Sequence, residues 1–145
     1  MNLISLILAV VLGAAVGLER EIKGKPAGLR TNVLICLGAA VFTIISKAMA
    51  SDQDSVTRIA AQIVTGVGFL GAGAIIRDRG GIYGLTTAAI IWMVASIGMA
   101  CGAKLYSLAI ITTVIAIVAL LGLAQVEKHI KPNTRGQTKD EDSNL

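Results

Sequence analysis

Charge is scarce in this sequence: Asp, Glu, Lys and Arg make up 15% of its 145 residues, against 54% hydrophobic ones. That balance leaves no room for a soluble module, and a mean hydropathy of +0.76 indicates a single membrane domain. Aromatic residues reach only 3%, and the basic residues gather at segment ends, so the net charge of +4 forms no nucleic-acid-binding face. Histidine occurs once, as His129, and cysteine twice, as Cys36 and Cys101. None of these has a metal-ligand spacing, so the cysteines read as small packing residues and His129 as a solvated neighbour of Lys128. Any metal ligand set stays unknown. There is no Ser/His/Asp set, no HExxH and no Cys/His cluster. Catalysis is therefore not expected, nor any cofactor. No fully charged residue falls mid-way along an apolar segment, which speaks against a pump or proton-coupled carrier.

What the chain does have is five apolar segments: Asn2 to Leu18, Val33 to Ala50, Ile59 to Ile76, Leu85 to Ala103 and Leu105 to Val126. At ~1.5 Å rise per residue, about 20 residues cross a hydrocarbon layer ~30 Å thick, and lipid admits only helices or closed barrels. The segments lack the alternating polarity of barrel strands. One small soluble domain could not cover five helices that are apolar all round. The expected fold is all-α, a five-helix transmembrane bundle over residues 1–130, followed by a disordered polar tail at 131–145. The first segment lacks a basic n-region and is followed by Glu19-Arg20-Glu21, so it is expected to be a retained helix rather than a cleaved signal.

Ten of the 13 basic residues fall on the side shared by the first turn, the third turn and the tail. Only Lys47, Arg58 and Lys104 fall on the other. The excess places the N-terminus outside the cytoplasm and the C-terminus inside.

Glycines recur at helical spacing, as Gly13 with Gly17 and Gly98 with Gly102, while the third segment holds Gly66, Gly68, Gly71 and Gly73. Small residues let helices approach closely in lipid, where burial of apolar surface gives little drive to associate. All eight are expected to pack helices, within one chain or between copies, with a dimer favoured. The GxGxxG run at Gly66 has no strand before it and does not indicate a nucleotide site. An alternative is a third helix broken at the glycines, whose free carbonyls could hold a cation.

Several polar residues need partners. Glu19 and Glu21 end the first helix at its negative pole, so a cation such as Arg30 is expected beside them. Thr31 or Asn32 is expected to cap the second helix. At membrane depth stand Gln62, Thr65, Thr86, Thr87, Ser96 and Gln125. The hydroxyls can bond their own helix, which leaves Gln62 as the strongest candidate for a polar pocket. Asp52 and Asp54 could attract a hydrated divalent ion, although solvated carboxylates are the simpler reading.

Three strings resemble the MgtC/SapB family of bacterial inner-membrane proteins: Gly17-Leu-Glu-Arg-Glu21 with Pro26-Ala-Gly-Leu-Arg-Thr-Asn32, Arg58 to Ile75, and Gly84-Leu-Thr-Thr-Ala-Ala89 with Trp92. The resemblance implies a five-helix membrane domain linked to growth under magnesium limitation. It also implies action on other membrane machinery, such as the ATP synthase or ion and phosphate uptake. By position its motif residues are Glu19, Arg20, Glu21, Arg30, Thr31, Asn32, Arg58, Gln62, Thr86 and Thr87, with the glycines of the third segment. Longer members carry a soluble domain after the fifth helix, so the chain is closer to the short, SapB-like form. The functional expectation is a non-enzymatic regulator of membrane ion or energy homeostasis, with a small oligomeric cation channel or transporter as the alternative.

Overall fold

The computed structural model describes residues 2–50, 53–78 and 81–130, with side chains at all of these except 53–57, 59, 78 and 127–130. The polar tail and Asp52 lie outside the described residues, as do the side chains of Asp54 and His129. Five helices follow one another: α1 (Leu3–Ile22), α2 (Leu29–Met49), α3 (Gln53–Gly73), α4 (Leu85–Gly102) and α5 (Tyr106–Ile130). A short antiparallel hairpin, β1 (Ile76–Asp78) with β2 (Gly81–Tyr83), joins α3 to α4 and pairs Ile76 with Tyr83.

Among the described residues four helices, α1, α2, α4 and α5, are long and apolar enough to cross a membrane. The third, α3, differs from expectation at its end, where the apolar run past Gly73 turns into β1. α3 is also unbroken through its glycines, which removes the discontinuous helix considered above.

α4 is the centre of the bundle. It packs against α1, α2, α3 and α5, and 56% of its apolar window is buried, against 17% for α5. A helix with neighbours on most of its circumference has no use for a polar face, and α4 is apolar all round from Ala88 to Ala95. The core joins Ala9, Leu12 and Val16 of α1, Cys36 and Ala40 of α2, and Ile90, Val94 and Ile97 of α4. Both cysteines are buried and free.

Glycine seams hold α2 against both neighbours. A Cβ at Gly13 would stand 2.8 Å from that of Cys36, and one at Gly17 would stand 2.8 Å from Leu29 Cα. On the other side, a Cβ at Gly98 would collide with the Cys36 carbonyl, and one at Gly102 would lie 2.5 Å from the Ala40 carbonyl. All four close approaches lie within the single chain. The contact order shows that α2 runs antiparallel to α1 and parallel to α4. At the entry to α4, Gly84 adopts φ +88° and a Cβ there would strike the Ala74 carbonyl, so both conformation and space demand glycine.

α3 is attached differently. Only Ile63, Val67 and Gly71, one narrow stripe, are buried among its described side chains. Cβ atoms at Gly66, Gly68 and Gly73 would meet nothing within 4 Å. These three glycines therefore do not pack helices inside the chain, contrary to a purely intramolecular reading of their spacing.

The contrast sets a test. Gly98→Ala forces the backbone of α2 outward and should cost ~1–3 kcal/mol of stability in detergent unfolding. Gly66→Ala should stabilise α3 by up to ~1 kcal/mol, because it relieves the helix of a glycine without creating a clash.

Candidate functional site at the hairpin end of the bundle

α1 does not stop at Leu18. It continues to Ile22, and Glu19, Arg20 and Glu21 lie in its last turns, where three different neighbours take up their charges. Glu19 pairs with Lys23 one turn on, Oε1 to Nζ at 2.7 Å. The expected pairing with Arg30 is not formed; Arg30 is exposed, and Lys23 lies nearer on the same helix.

Glu21 reaches across the turn, and its Oε2 accepts a hydrogen bond from the Leu29 backbone N–H at 3.0 Å. This carboxylate of α1 thus satisfies a free donor at the positive pole of α2. The role expected of Thr31 or Asn32 is taken by another helix. The N-cap residue is Gly28, Thr31 is exposed, and Asn32 lies inside α2. The Asn32 amide turns back instead, donating to the Ala27 carbonyl and, at 2.8 Å, to that of Gly28. It thereby ties down a turn in which Ala27 holds φ +54°.

Arg20 is the most constrained of the group, with 5% of its surface exposed. Its Nη2 donates to Thr87 Oγ1 of α4 at 2.9 Å and to the Pro26 carbonyl at 3.4 Å. A buried guanidinium is costly unless hydrogen-bonded and compensated. Here the compensation comes from two neutral oxygens, from the neighbouring Glu19 carboxylate and from the negative pole at the end of α1. Among the described residues, buried Arg20 Nε, Glu19 Oε2 and Asn32 Oδ1 remain without a protein partner.

Eight of the ten motif residues thus stand where α1 ends and α2 and α4 begin, and five of them, Glu19, Arg20, Glu21, Asn32 and Thr87, make the contacts described. Thr86 is nearby but exposed. Two others lie elsewhere. Arg58 is exposed near the start of α3, and Gln62 lines a groove of about 580 Å³ between α2 and α3, with Gly38, Phe42 and Gly66. Among the described residues no three His, Cys, Asp or Glu side chains converge on a possible metal position. Two interhelical links had no sequence signal beyond an isolated polar residue: Ser5 with Tyr106 at 3.0 Å, and Lys47 with the Ala103 carbonyl at 3.1 Å.

A family model for MgtC matches residues 6–129, nearly the whole described chain. The chain belongs to the MgtC family. Among curated relatives, "Putative magnesium transporter YhiD" of Escherichia coli K12 is 49% identical over 81% of this chain and 58% of its own length. Protein MgtC of Salmonella typhimurium is 44% identical over 88% of the chain and 54% of its own length. Protein MgtC of Brucella abortus is 49% identical over 78% and 48%. The chain therefore spans about half the length of the MgtC relatives it matches. No solved structure matches it.

The hydrogen bond from Arg20 joins the first turn of this MgtC-family domain to its central helix. Thr87→Val removes the acceptor of a charged donor and should cost ~1.5–3 kcal/mol in thermal or denaturant unfolding. Thr86→Val, one residue away but exposed, should stay within ~0.5 kcal/mol.

Proposed function

We propose that this chain is a non-enzymatic, multi-pass protein of a bacterial inner membrane, N-terminus outside and C-terminus inside. It modulates ion or energy homeostasis when magnesium is scarce, through helix contacts with a second copy or another membrane protein. The family and the magnesium transporter in the name of the Escherichia coli relative support the link to magnesium. The asymmetric basic count supports the orientation.

The observation that carries the mechanism is the outward face of α3. Cβ atoms at Gly66, Gly68 and Gly73 would meet nothing within 4 Å; Gly66 and Gly73 share a face with the exposed Gln62, and Gly68 opens the other flank of the helix. Glycine on a lipid-facing surface exposes backbone and contributes no apolar side chain, whereas against another helix it permits close approach. The seams of α1 and α4 are already occupied by α2, so α3 is the docking surface. Gly68→Leu should abolish cross-linked oligomers in bilayers while leaving insertion and helix content unchanged. Undiminished cross-linking would refute docking through α3.

A second reading is a small oligomeric cation channel or carrier with Gln62 on its path. It is favoured by the relative's name and by the placement of Gln62 in an open groove. The groove is otherwise walled by apolar side chains such as Leu34, Phe42 and Leu70, which makes it the weaker of the two. Purified protein in liposomes should then pass Mg²⁺, with flux lost in Gln62→Leu; sealed vesicles without flux would exclude it.

A further inference from the structure

A second groove, of about 410 Å³, opens on the opposite side of α3, between that helix and α4. Its walls include Val64 and Val67 of α3, Trp92 and Met99 of α4, and Leu108 of α5. The two hydroxyls in its lining are already engaged with their own helices: Thr43 donates to the Ala39 carbonyl at 2.7 Å and Ser96 to that of Met93 at 2.7 Å. The interior therefore offers an occupant only apolar surface.

The mouth differs in kind. Lys47 lines it and spends one of its three N–H groups on the Ala103 carbonyl. Lys104, the next residue, is exposed. The exposed Arg58 precedes by two residues Ala60, another wall residue. Lys47 thus lines the opening, and Lys104 stands between two of its wall residues, Ala103 and Leu105. Glu19 and Glu21, the only carboxylates with described side chains, are at the other end of the bundle; Asp52 and Asp54 fall outside the described side chains.

Length agrees with charge. From Trp92 to Ala103 a helix rises about 16 Å, close to half of the ~30 Å hydrocarbon layer, which is the depth of one leaflet. We propose that this groove is a binding site for one anionic phospholipid. The phosphate of its headgroup sits on Lys47 and Lys104, and one acyl chain lies along Val64, Trp92 and Leu108. An isologous second copy would bring the same lysines to the same mouth, setting like charge against like.

Trp92 is the chain's only tryptophan, which makes occupancy directly readable. The full chain is reconstituted in phosphatidylcholine vesicles, and quenching of its fluorescence is titrated with acyl-brominated phosphatidylglycerol or, in parallel, acyl-brominated phosphatidylcholine. The expected result is preferential quenching by the anionic lipid, about fivefold for each lysine engaged. That preference should fall to unity in the Lys47→Gln/Lys104→Gln double variant and persist in Lys47→Arg. Equal quenching of the wild type by both lipids would overturn the proposal, as would a preference that survives in the double variant. Quenching by neither lipid would mean that protein covers the groove, and would overturn it as well. Because the readout does not depend on Gly68 or on oligomers, failure here is distinguishable from failure of docking through α3.

Discussion

Close backbone approach along α2 is the constraint on which the rest of the molecule depends. With glycine at Gly13 and Gly17 on one flank and at Gly98 and Gly102 on the other, α2 lies against α1 and α4 at distances no side chain would allow. In lipid, association of helices relies on such packing, since apolar side chains are as well solvated by acyl chains as by each other. Fixing these three helices side by side also sets where their ends meet, and so which polar groups become neighbours.

The hairpin end of the bundle illustrates what that placement does. Cations of α1 lie at its negative pole, the Glu21 carboxylate lies at the positive pole of α2, and Arg20 is held by Thr87 at the start of α4. Arg20 and the Glu21 carboxylate each lie by a helix terminus that favours their sign, while Glu19, at the negative pole of α1, is offset by Lys23. The cluster contains no nucleophile with a base, and its hydrogen bonds run between elements, so it acts as a brace between the first turn and the central helix.

Much of this was legible in the chain, but unevenly. Long apolar segments marked four of the helices within a few residues, because hydrophobic length is a local property. The glycine pairs at 13/17 and 98/102, four residues apart, lie where α2 comes close to α1 and α4. The cluster of glycines at 66, 68 and 73 suggested packing that the single chain does not contain, since small residues record that a surface can be approached and not what approaches it. The cap on α2 was misassigned for a related reason: Thr31 and Asn32 fit a local rule, while the group that fills the role, Glu21, comes from a neighbouring helix. The first helix outlasted its apolar run because Glu19, Arg20 and Glu21 are good helix formers once their charges are met. In α3, by contrast, Ile75 and Ile76 continued the apolar pattern after the helix had ended, and a strand cannot be told from a helix by a short apolar run.

The double seam of α2 has a consequence for how the sequence can drift. Because Gly13 and Gly17 on one side and Gly98 and Gly102 on the other leave no room for a Cβ, a larger residue at any of the four is accommodated only by displacing a whole helix, so these positions tolerate exchange far less than the open glycines of α3.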